Sequence, residues 1–86
     1  MTGFDYAADY IARARWARDH NDGHPKPAWS TGERLAVALL LGDQATLDAE
    51  GHTAQQAARR LADDLGTTDA TAWITSAQAA LRGGAR

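Results

Sequence analysis

The chain has 86 residues and a formal charge of −2, which leaves room for one small domain and excludes a multidomain enzyme. Twenty of the residues are alanine, against eight leucines, two isoleucines and one valine, so the composition favours closely packed helices over a pleated sheet. There is no cysteine, which removes disulfides, thiolate nucleophiles and cysteine-ligated zinc, and the near balance of charge argues against avid nonspecific binding to nucleic acid.

The first predicted helix covers about residues 4–20. Phe4, Ala7, Ala8, Ile11 and Ala14 recur at steps of three and four along its expected inner side. Asp5 and Asp9 come early, and Arg13, Arg15 and Arg18 come late, an order that suits the helix dipole and lets Asp9 pair with Arg13. On this register Tyr6 and Tyr10 fall on a flank with Arg13 and Ala17, and Trp16 lies off the core stripe. Residues 21–29 contain Gly23, Pro25 and Pro27, which predicts an exposed, semi-extended connection.

Ser30 and Glu33 form a capping box that opens a second helix over 31–41. Leu35 to Leu41 contains no polar residue, so this helix is expected at the centre, with Gly42 as its left-handed stop. Asp43 caps a short third helix over 43–50, ending at Gly51. Thr53 and Gln56 make a second capping box for a fourth helix over 54–65, with Ala54, Ala57, Ala58, Leu61 and Leu65 in one stripe before Gly66. Thr67 or Thr68 is expected to cap a fifth helix over 69–82, with Ala70, Trp73, Ile74, Ala77 and Leu81 inward and a frayed tail over 83–86. The short connections predict an all-α single domain, a compact orthogonal bundle of about five helices.

Chemical signatures are sparse. Asp19, His20, Asp22 and His24 crowd together, but Gly23 and Pro25 break the helix that a spaced histidine pair needs, and the spacing fits no calcium loop. Ser30 is taken by its cap and Ser76 by an outer helix face. Asp63 and Asp64 sit four residues from Arg59 and Arg60 and read as a solvated charged face. No phosphate-binding glycine pattern can be written. The expectation is therefore a chain that is not an enzyme and takes no metal or cofactor. The longest apolar run, Leu35 to Leu41, is too short for a membrane span, and the reading is a cytoplasmic protein.

Two binding readings remain. A protein-binding surface would use Trp16, Arg13, Arg15, Arg18 and Trp29, since aromatic and arginine side chains supply interface anchors; the partner would be another protein or a second copy of the chain. The opposing structural reading has Trp16 and Trp29 packing on Pro25 and Pro27 to pin the loop. The alternative function is a helix-turn-helix-like DNA reader over 43–65, presenting Gln55, Gln56, Arg59 and Arg60. Against it, Asp48, Glu50, Asp63 and Asp64 would repel phosphates, and His52 and Arg60 occupy positions where that motif places core residues.

The run WSTGERLAVALLLGD from Trp29 to Asp43, followed by Leu47, Gly51, Thr53, Ala57, Arg60 and Leu61, resembles small helical accessory proteins carried by actinobacterial phages and mobile elements. The resemblance spans about half the chain and contains no catalytic signature. It implies a short accessory protein that acts by binding a host or phage macromolecule, for example to block a host enzyme or defence complex, and it transfers no functional residue.

Overall fold

In a computed structural model, residues 5–83 are described, and they form five helices with no strand among them: α1 (Tyr6–His20), α2 (Thr31–Leu41), α3 (Gln44–Ala49), α4 (Ala54–Leu65) and α5 (Thr71–Gly83). The expected first-helix residue Phe4 and tail residues 84–86 lie outside the described residues.

Local capping chemistry places the boundaries. Asp5 accepts from the Ala8 amide at 3.1 Å, which starts α1 at Tyr6. Both capping boxes are formed: Ser30 with Glu33 on α2 and Thr53 with Gln56 on α4. Asp43 caps α3 through the Thr46 amide at 3.2 Å. Gly42 and Gly66 close α2 and α4 at φ +70° and +74°, a left-handed backbone conformation that glycine adopts freely and that strains any residue with a Cβ. The start of α5 differs from expectation. Thr67 supports Asp69, and Asp69 in turn accepts from the Thr71 amide at 2.9 Å, so two side-chain turns hold residues 67–70 out of helix.

The apolar helix α2 is the centre of the bundle, packing against all four others, and buries Leu35, Ala36, Val37, Ala38 and Leu40. One core cluster joins it to α1, α4 and α5 through Tyr10, Ala14, Ala17, Leu61, Ala77 and Leu81. A second joins Leu35 and Ala38 to Leu47 and Ala57. Alanines at these contacts let the helix axes approach closely.

The inner face of α1 is rotated from the expected stripe. Tyr10, Ala14 and Ala17 are buried, Ala8 is exposed and Ile11 is only partly buried. The reason is Tyr10. Its ring adds far more buried surface than Ala8, and its hydroxyl finds a partner, donating at 2.7 Å to Asp64 Oδ2 on α4. Asp64 is thus no solvated carboxylate but a part-buried acceptor. The 21–29 connection is also less exposed than its composition suggests, since Pro25 is buried.

Candidate functional site

The five residues proposed for protein binding do not converge. Successive helical residues rotate by about 100°, so Arg13 and Trp16 fall to one side of the buried stripe of α1, Arg18 to the other, and Arg15 to the exposed back.

On the first flank the loop folds over the helix. The Trp16 and Trp29 rings lie with centroids 5.6 Å apart, Lys26 Nζ stands 4.8 Å from the Trp16 centroid and the Arg13 guanidinium 5.0 Å from that of Trp29. Both tryptophans are partly buried and pack against the core. Arg13 is further engaged, with Asp9 at 2.7 Å and Glu33 at 3.0 Å. Trp16 and Trp29 therefore act as a clasp that fastens the loop to α1, through contact with each other and with the cations of Lys26 and Arg13. The same loop is tied by Gly23 N–H to the Ala17 carbonyl at 2.9 Å and by Asn21 Nδ2 to the His24 carbonyl at 2.8 Å.

Two ion pairs anchor its far side. His24 Nδ1 lies 2.7 Å from Asp43 Oδ2. Asp43 is 8% exposed; burial pushes its carboxyl up, but the hydrogen bonds from His24 and Thr46 outweigh this and hold it below the usual range. The His24 imidazole is raised by the same hydrogen bond. Arg34 uses all five of its N–H donors: Nε and Nη2 reach the two Glu50 carboxylate oxygens at 2.9 and 3.2 Å, Nη2 also reaches Thr31 Oγ1, and Nη1 donates to the Pro27 and Trp29 carbonyls.

On the second flank α1 meets α2 and α5 around an open groove of about 380 Å³. Leu40, Leu41 and Leu81 supply its apolar surface, and Arg18, Gln78 and Arg82 supply its polar rim. Arg18 donates to the Leu81 carbonyl and pairs with Asp19 at 2.8 Å, and Gln78 Nε2 donates to the Leu39 carbonyl at 3.3 Å. Arg82 has no ion-pair partner among the described residues. Of the groove residues only Arg18 belongs to the surface proposed from sequence. The others come from helices far apart in the chain, and no local pattern marks them.

The residues of the DNA-reading alternative do gather. Gln55, Gln56, Arg59 and Arg60 are exposed on α4, and Gly51, His52, Gln55, Gln56 and Arg59 line a concavity of about 360 Å³. Gln56 is partly committed, its Oε1 accepting from the Thr53 amide at 2.9 Å. Of the neighbouring carboxylates, Glu50 is held by Arg34, Asp64 accepts from Tyr10, and Asp48 accepts from Gln44 at 2.9 Å. Arg60 is exposed where the helix-turn-helix pattern places a core residue, and the core position falls to Leu61.

Comparison with protein-family models, with curated proteins and with solved structures gives no match. Among the described residues no three His, Asp or Glu side chains gather as a metal site, and no helix is long and apolar enough to cross a membrane. The displaced carboxylates each have a structural cause: Asp43 and Asp69 serve turns and caps, while Glu50 and Asp19 are lowered by arginine hydrogen bonds. Asp43 touches both the His24 imidazole and the Thr46 hydroxyl, but that hydroxyl donates to the carboxylate and caps α3, whereas a hydrolytic site needs its nucleophilic hydroxyl on the base.

Proposed function

We propose that the chain is a noncatalytic helical module that acts by binding another protein, and that its contact surface is the groove where α1, α2 and α5 meet. The observation that carries this reading is the combination in that groove of apolar surface, the partly exposed Leu41 over the buried Leu40 and Leu81, with an arginine that has no ion-pair partner among the described residues, the mixture found at protein interfaces. The displaced carboxylates, each taken up in a cap or an ion pair, add support to a noncatalytic role. A short accessory protein that modulates a host protein is the setting suggested by the resemblance that begins with the Trp29–Asp43 run.

A photo-crosslinking amino acid at position 82 tests the reading in the native cell. One discrete protein adduct is expected, either heteromeric or a homodimer, and Leu41→Glu should abolish it without unfolding the chain. Absence of any protein adduct, or an adduct to nucleic acid only, would overturn it.

The second reading, DNA recognition by α4, is favoured by the exposed Gln55 and Arg59 beside carboxylates that already have internal partners. Its test is a gel shift at graded salt. Sequence-dependent retardation that weakens on Arg59→Ala would support it, and equal, weak retardation of all duplexes would remove it.

A further inference from the structure

We propose that the α1–α2–α5 groove selects an acidic segment of a partner protein, which seats one apolar side chain against Leu40, Leu41 and Leu81 and sets flanking carboxylates against Arg18 and Arg82. This rests on the protein-binding reading and adds the chemistry of the partner.

Charge complementarity carries the argument. The chain as a whole is acidic, at −2, yet Arg18 and Arg82 line the groove from α1 and α5, with Asp19 as the carboxylate paired there. Three ends of helices also meet at this place, and their carbonyls would normally repel an anion. They are largely satisfied: Gly42 N–H bonds to the α2 carbonyls, Gln78 covers that of Leu39, and Arg18 covers that of Leu81. Arg18 meets its internal partners through three N–H groups, one to the Leu81 carbonyl and two to Asp19, which leaves two of its five donors for an incoming carboxylate. Among the described residues Arg82 has no hydrogen-bond or ion-pair partner for its donors. An apolar floor between two such guanidinium groups fits a segment with carboxylates on both sides of a leucine or phenylalanine, because each carboxylate can take a paired hydrogen bond while the apolar group leaves water.

The experiment uses three fluorescein-labelled hexapeptides: Asp-Glu-Leu-Phe-Glu-Asp, the same peptide with lysine at the four acidic positions, and one with serine there. Anisotropy gives affinity, and amide chemical shifts of the full chain give location. The acidic peptide is expected to shift the amides of Gly42, Gln78, Leu81 and Arg82 and to bind at least about tenfold more tightly than the lysine peptide. Its affinity should fall severalfold between about 50 and about 300 mM NaCl. Arg82→Glu should weaken it about tenfold, while Arg59→Glu on α4 leaves it unchanged. If the serine peptide binds the same amides equally well, the acidic selection is overturned and the groove remains a protein-binding site. Should none of the three peptides move these amides, the groove reading falls with it.

Discussion

The Tyr10 hydroxyl donates a 2.7 Å hydrogen bond to Asp64 and so joins α1 to α4 across 54 residues of sequence. Tyr10 is 2% exposed, and the bond gives the only polar atom of that ring a partner. Tyr10→Phe leaves the Asp64 carboxylate short of a donor in a part-buried site, and a stability loss of about 1–2 kcal/mol is expected in urea unfolding. Burial and then the Asp64 carboxylate raise the phenol above its ordinary range. A raised folded-state value means that the stabilising contribution is complete below the unfolded phenol value of about 10 and is lost as pH rises beyond it. Wild type should therefore lose stability above about pH 10 more steeply than Tyr10→Phe.

The His24–Asp43 pair predicts a second, acidic dependence. The raised imidazole contributes below its unfolded value of about 6.5, and that contribution is lost as pH rises through the folded value. The lowered carboxyl contributes above its unfolded value of about 3.8 and is lost as pH falls through the folded one. The pair is strongest between about pH 4 and 6.5. His24→Ala should thus lower the melting temperature more at pH 5.5 than at pH 8.5, and Asp43→Asn, which keeps an acceptor for the Thr46 amide, should flatten the difference. Equal effects of His24→Ala at both pH values would sink the assignment.

The tryptophan clasp makes a prediction in which stability and binding separate. Trp29→Ala removes a partly buried ring and should cost about 2 kcal/mol. A double-mutant cycle with Trp16→Ala should show about 1 kcal/mol of coupling from the ring pair. Binding of the acidic hexapeptide should be unchanged in the folded fraction of either variant, since neither ring lines the α1–α2–α5 groove. Loss of peptide binding by a fully folded Trp16→Ala protein would move the interface to this flank.

Gly42 has φ +70° with no neighbouring atom near a built Cβ, so Gly42→Ala strains backbone without a clash. A loss of about 1 kcal/mol is expected by thermal or urea unfolding.

These contacts show which parts of the fold are written locally. The capping boxes of Ser30 and Thr53, the Asp43 cap and the stops at Gly42 and Gly66 each involve residues within a few positions, and the sequence alone places them. The inner face of α1 was less legible because a periodic stripe cannot weigh Tyr10, whose burial depends on an acceptor 54 positions away. For the same reason Asp64 looks like half of a solvated acidic pair until α1 is set beside it. The loop connecting α1 and α2 has Pro and Gly in abundance, which describe a break in helix but carry no information about the Trp16–Trp29 contact. The groove is the least legible feature: Arg18, Leu41 and Arg82 become neighbours only when three helices end together.

Arg34 gives the loop a property that its lack of regular structure would not suggest. One guanidinium holds two loop carbonyls, the first turn of α2 and the Glu50 carboxylate just after α3. Opening the loop on its own would take the Pro27 and Trp29 carbonyls away from that guanidinium and leave two of its donors unpaired, which couples the segment to the unfolding of the α2–α3 corner. In native-state hydrogen exchange its internally bonded Gly23 and Trp29 amides should follow the slow opening of that corner, and Arg34→Lys, with three donors in place of five, should release them to exchange as an independent unit.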